Sequence, residues 1–144
     1  MHRGIAVLAV GFVGVLVLVA CTETTPEPTS SPRTYTYSIF DTGAEDIDTL
    51  PKAAGDLLAD LTQSMSRYAG DDNGTQVWAV RGIGLEGLKF CLVLVAHDVP
   101  STGCTSRGIL GVSRGTSATY QLVPDEDPAP DGGVKLAENV YVVR

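Results

Sequence analysis

Basic side chains are scarce in this sequence and nowhere clustered. Ten Lys and Arg stand against 17 Asp and Glu, and the formal net charge is −7. The cations beyond residue 20 (Arg33, Lys52, Arg67, Arg81, Lys89, Arg107, Arg114, Lys135 and Arg144) are scattered singly. Displacing counterions from a phosphate backbone needs grouped cations. Nucleic acid is therefore excluded as a partner, and so is a polybasic grip on anionic lipid head groups. Histidine is scarcer still, with His97 the only one after His2. Without a second histidine no catalytic triad can be nominated. Gly111-Val112-Ser113-Arg114-Gly115 spells the G-x-S-x-G elbow, but an α/β-hydrolase needs far more chain than this.

Long apolar runs are equally few, and the one that dominates comes first. Met1-His2-Arg3 is followed by an uninterrupted apolar stretch, Ile5 to Ala20. It is shorter than the roughly 20 residues of a comfortable transmembrane helix, and no basic stop-transfer cluster follows it, which is the pattern of a secretory signal. An uncleaved N-terminal anchor is the alternative. Leu18-Val19-Ala20-Cys21 resembles the lipobox of bacterial lipoproteins, with an apolar residue at −3 and a small one at −1. The resemblance implies cleavage between Ala20 and Cys21 and a diacylglyceryl group on the Cys21 thiol, whose two acyl chains would hold the chain durably on the outer face of the cell membrane. Residues 1–20 are then a signal peptide. Residues 21–33 (CTETTPEPTSSPR) carry no large apolar side chain after the cysteine, and read as a solvated tether. Residues 34–144 remain as one domain, large enough for a small core.

With Cys21 assigned to lipid, Cys91 and Cys104 form an even pair in an oxidising compartment, which reads as a disulfide. It would close a loop of about 14 residues and contribute roughly 3 kcal/mol. A zinc site and a catalytic thiol are the competing readings. Two thiols with only His97 between them lack the ligand number of the first, so neither a metal nor a cofactor is expected.

The periodicity points to an α+β fold, with one amphipathic helix packed on an antiparallel sheet of about four to five strands. Leu50, Ala54, Leu57, Leu58, Leu61, Met65 and Tyr68 recur at three- and four-residue spacing, with Asp48 or Thr49 placed to cap the helix and Gly70 to end it. Thr34–Phe40 is a short strand or an extended entry. Thr75–Arg81 and Leu88–Ala96 read as strands, the latter apolar enough to be covered on both faces. Segment 97–103 is expected as a loop, Cys104–Val112 as a strand or irregular crossing, and Ser117–Val123 and Val140–Val143 as strands. Residues 124–133 are too polar and proline-rich for regular structure. The candidate core is Leu57, Leu61, Met65, Trp78, Val80, Phe90, Leu92, Leu94, Tyr120, Leu122 and Tyr141.

Three constellations resemble chemistry. Gly82-Ile83-Gly84-Leu85-Glu86-Gly87 has the G-x-G-x-x-G spacing, but the strand-forming residues that follow suggest a hairpin connection, not the helix N-terminus that receives a pyrophosphate. His97-Asp98 is the one acid/base-like pair. Asp125, Glu126, Asp127 and Asp131 offer oxygens to calcium, though not in EF-hand spacing, and a solvated loop accounts for them better. Together the lipobox, the tether, the tryptophan strand, the Cys-Leu-Val-Leu run and the late Leu-Val-Pro-Asp and Glu-Asn-Val-Tyr-Val segments resemble small lipoproteins of Gram-positive actinobacteria. That likeness implies a location and an architecture, and no activity. The expected function is a noncatalytic membrane-anchored module binding a protein, peptide or cell-envelope ligand. The alternative is a small hydrolase-like extracytoplasmic enzyme using His97 and nearby acids, which a deep polar pocket around His97 with two further ionisable groups would favour.

Overall fold

Strand pairing, and not a helix, organises the chain in the computed structural model, which describes residues 33–144. The expected signal peptide, the cleavage and lipidation positions Ala20 and Cys21, and the tether as far as residue 32 lie outside the described residues. Four successive hairpin strands, β1 (Thr62–Asp72), β2 (Thr75–Gly84), β3 (Gly87–Ala96) and β4 (Val99–Thr105), form an antiparallel sheet in that order. A second antiparallel sheet is built from β5 (Leu110–Arg114), β6 (Ala118–Leu122), β7 (Val134–Ala137) and β8 (Val140–Val143), in the order β5-β6-β8-β7.

Turn chemistry sets the hairpins of the first sheet. Asn73 and Gly74, with φ of 51° and 79°, make the two-residue β1–β2 turn, where both central residues need positive φ. Leu85-Glu86 joins β2 to β3 between the paired Gly84 and Gly87, so the G-x-G-x-x-G spelling is a hairpin. His97 and Asp98, with φ of 51° and 60°, join β3 to β4. The expected loop over 97–103 is therefore only two residues long.

The α+β expectation is overturned. The described residues hold two four-stranded sheets and a single five-residue α-helix, α1 (Lys52–Asp56). Of the helix expected over Leu50 to Tyr68, only Lys52–Asp56 is α-helical, and Met65 and Tyr68 lie in β1. These are the only two positions of the stripe within β1, three residues apart, so beyond Leu61 the helical period rests on two positions alone and is weak. Tertiary pairing chooses. Val77, Ala79 and Val80 of β2 are fully buried, so a missing neighbour would leave backbone N–H and C=O groups unpaired in dry surroundings. β1 supplies that neighbour, with Ser66 opposite Val80, Arg67 opposite Ala79, and Tyr68 opposite Trp78 at a ring separation of 5.1 Å. Leu57, assigned to the core as part of the stripe, is instead exposed. Tyr141 is only half-buried, because it alternates with the inward-facing Val140 and Val142.

Alternation then divides the apolar residues into two cores. Val77, Ala79, Phe90, Leu92 and Leu94 face Leu110, Val112, Tyr120, Leu122, Val140 and Val142 of the second sheet. On the outer face, Trp78, Val80, Cys91, Val93 and Val95 lie beneath Ala54 and Leu58 of the α1 segment. The Trp78 indole N–H donates to the Ile47 carbonyl at 3.3 Å. β3 is thus covered on both faces, as its unbroken apolar run suggests. The sandwich is pinched at both edges by glycine. A Cβ on Gly70 of β1 would lie 3.3 Å from Leu136 of β7, and one on Gly103 of β4 would lie 2.8 Å from Val112 of β5.

Cys91 and Cys104 are joined by a disulfide and sit directly opposite one another on β3 and β4. Their Cα separation of 4.1 Å is that of a non-hydrogen-bonded pair, where side chains come closest. By alternation Pro100, four residues earlier on the same edge strand, also points its ring nitrogen away from β3, so the ladder loses no donor. The entering segment is extended from Arg33 and then makes a 3₁₀ turn over Ser38–Phe40. It is not a strand, and it carries Tyr37, Ile39 and Phe40 into the inner core.

Candidate functional site

One end of the sandwich gathers the β1–β2, β3–β4 and β5–β6 turns and the last residue of the chain around an open cleft of about 580 Å³. Its lining includes Asp72, Asn73, His97, Arg114, Tyr120 and Arg144. Tyr120 is buried, and its hydroxyl donates to Asp72 Oδ2 at 2.9 Å. Arg144 donates to the other carboxylate oxygen, Oδ1. Burial pushes the Tyr120 hydroxyl above the ordinary phenol range. The hydrogen bond to Asp72 and its charge act in the same direction, against Thr75 and Arg144.

Arg114, the last residue of β5, spends its guanidinium on backbone. Nη2 donates to the Ala96 carbonyl at 3.1 Å and Nη1 to the Val99 carbonyl at 3.3 Å. It therefore clamps both shoulders of the His97-Asp98 turn and ties the two sheets together. Among the described residues no carboxylate pairs with it. His97 and Asp98 are exposed at the turn, and no hydrogen bond among the described residues joins His97 to Asp98 or to Asp72.

Among the described residues no acid/base pair is assembled around His97. The pocket around His97 does contain further ionisable groups, as the enzyme alternative requires, but it is open, and both Asp72 oxygens are occupied. Ser113 is no nucleophile elbow either, since it lies within β5 with its hydroxyl 2.9 Å from that of Thr119 on the solvent side. Arg114 and His97 line a space in which the side-chain carboxylate of Asp72 is already paired with Arg144 and hydrogen-bonded by Tyr120.

The acidic loop does different work. Asp125 Oδ1 accepts from the Ser38 backbone N–H at 3.1 Å, the Ser38 hydroxyl at 2.8 Å and Asn139 Nδ2 at 2.7 Å. Thr36 donates to Glu126 at 2.5 Å and Arg33 to Asp127 at 3.1 Å. Burial disfavours the Asp125 charge, but the bonds from Asn139, Ser38 and Thr36 outweigh it and hold the carboxyl below its usual range. The loop is a latch on the entering segment. Asn139 completes it: it accepts from the Ile39 N–H and donates to the Val123 carbonyl, both at 2.9 Å. Asp131 stands exposed in a separate turn.

Of the residues singled out in the sequence, the fold brings His97 into the cleft and turns the acidic loop inward. Asp72, Tyr120, Arg114 and Arg144 join the site unannounced. The Asn73-Gly74 turn signal was the one local hint that Asp72 would sit at a sheet end. The chain matches no protein-family model, no curated protein and no solved structure.

Proposed function

We propose that this chain is a lipid-anchored, extracytoplasmic, noncatalytic binding module whose cleft receives an acidic group of a cell-envelope or protein ligand. The observation that carries the binding reading is the charge arrangement of the cleft. Asp72 is neutralised by Arg144 and hydrogen-bonded by Tyr120, while Arg114 and His97 have no acidic partner among the described residues. A guanidinium held by two carbonyls keeps further N–H donors for an incoming carboxylate or phosphate. The anchor reading is supported by the Leu18-Val19-Ala20-Cys21 resemblance, and the Cys91–Cys104 bond suits an oxidising compartment.

Two measurements test the proposal. Intact-mass analysis of membrane fractions should find a mature chain starting at an acylated Cys21, and an unprocessed chain retaining Met1 refutes the anchor. Titration of the isotopically labelled protein with inorganic phosphate and with succinate should shift the backbone amide resonances of Asn73, His97, Arg114 and Ser117, and Arg114→Gln should attenuate those shifts. Unchanged cleft resonances at tens of millimolar anion would sink the binding reading.

A further inference from the structure

The opposite end of the first sheet presents an apolar tip. Ile83 and Leu88 are directly opposed on β2 and β3 and are 42% and 48% exposed, while Leu85 at the turn is fully exposed at 101%. By alternation Ile83 and Leu88 lie on the same face as Ala79, Phe90 and Leu92, which the second sheet covers further along. Beyond the end of that sheet the described residues cover them only in part. Met65 and the Arg81 side chain border the pair, and the Arg81 guanidinium lies over the Phe40 ring at 5.4 Å. Glu86, the other turn residue, is paired with Lys89 at 2.8 Å, so the tip carries little net charge.

We infer that this hairpin tip inserts into the headgroup–acyl boundary of the bilayer that holds Cys21. The inference rests on the anchored reading above. The chain enters the domain at this same end, where Arg33, Thr34 and Tyr35 line a groove together with Leu88. The twelve residues from Cys21 to Arg33 can span at most about 42 Å, the limit set by covalent geometry. A lipid on Cys21 therefore keeps a membrane within reach of Leu85. A Glu86–Lys89 pair beside protruding leucines, with the Arg81 guanidinium held over Phe40, suits that boundary, where apolar side chains are buried and polar stems reach outward. β2 spans about 30 Å from Gly84 to Thr75. A membrane-seated tip thus directs the His97–Arg114 cleft away from the bilayer, toward the cell envelope.

The test uses the full chain carrying Leu85→Trp or, at the cleft end, Val99→Trp, reconstituted in phosphatidylcholine/phosphatidylglycerol vesicles with brominated acyl chains. Val99 is 60% exposed, and Trp78 is buried, so the native indole contributes a constant background. Leu85→Trp should show blue-shifted emission and lose about half its added fluorescence to bromine, with Val99→Trp unaffected. Equal quenching at both positions, or none at position 85, overturns the inference while leaving an acylated Cys21 intact. Shielding of position 85 without vesicles, rising with protein concentration, also overturns it, because a second copy would then be the occupant. If Cys21 proves unacylated, the anchored reading fails by itself. The tip is then tested by partitioning, where Leu85→Asp should weaken vesicle binding about tenfold or more, and unchanged partitioning overturns it.

Discussion

Breaking the Cys91–Cys104 bond from either side should destabilise the fold, but by different amounts, because the two sulfurs sit in different surroundings. The residues are 13 apart in sequence, so the bond closes a loop of about 14 residues and contributes about 3 kcal/mol by restricting the unfolded chain. Cys104→Ser removes this constraint at an exposed position on the edge strand, where a hydroxyl can meet water. Cys91→Ser removes the same constraint and also buries a hydroxyl among Trp78, Val80, Val93 and Val95 beneath Ala54 and Leu58. An unmatched buried hydroxyl costs about 1–3 kcal/mol more. With a urea m-value of about 2 kcal/mol/M for a domain of this size, Cys104→Ser should lower the unfolding midpoint by about 1.5 M, and Cys91→Ser by roughly 0.5–1.5 M beyond that. Dithiothreitol should reproduce the Cys104→Ser midpoint in the wild type and leave both variants unchanged. Equal midpoints for the two variants, or a wild type indifferent to reductant, would refute the account of β3 as a strand buried on both faces and stapled to its edge.

Asn139→Ala should cost about 2–4 kcal/mol, because it orphans the buried Ile39 N–H and the Val123 carbonyl. It also places alanine at φ of 63°. Limited proteolysis should then cut between residues 34 and 40 before the sheets open, and Asn139→Gly, which relieves only the backbone, should lose less stability. Gly103→Ala brings a methyl to 2.8 Å from the stiff Val112 side chain and should cost about 1–3 kcal/mol. Adding Val112→Ala should recover part of that loss in a double-mutant cycle read by thermal melting. Stability should fall at both pH extremes. Asp125 is held below the ordinary carboxylate range, so its contribution is present above about pH 4 and is lost as pH falls through its lower folded value. Tyr37 is pushed up to about 12 by burial and by the charges of Asp127, Glu126 and Asp125 together with Tyr35. Its contribution is therefore present below about pH 10 and is lost as pH rises toward 12. Midpoints that stay flat from pH 3 to 5 in the wild type and in Asp125→Asn alike would contradict the latch.

Where local chemistry acts alone, the residues spoke clearly. The Asn73-Gly74 turn, the glycine-rich β2–β3 connection, the β2, β3, β6 and β8 strands and the irregular 124–133 stretch were legible, because positive φ, β-branching and proline each constrain the chain within a few residues. The Cys91–Cys104 pairing was legible by counting, as the even pair left once Cys21 is expected to carry lipid. Three features were not. Segment 97–103 reads as a loop, but most of it is β4, because the His97-Asp98 turn has no glycine to mark so short a hairpin. The stripe from Leu50 to Tyr68 has helical spacing throughout, yet only Lys52–Asp56 is helical, because β2 needs the hydrogen-bonding neighbour that β1 supplies. β7 (Val134–Ala137) is too short and too exposed to announce itself.

The sequence by itself determined where the chain must turn, which strand had to be buried on both faces, and which sulfurs could meet, since those properties depend on neighbours a few bonds away. Only the tertiary structure decided that Asp72, Tyr120, Arg114 and Arg144 converge beside His97, and that the acidic loop closes on Thr36 and Ser38 and not on a cation. Those contacts join residues as far as 87 to 94 positions apart, and the side chain each one meets is set by sheet register and stacking, which no local pattern encodes.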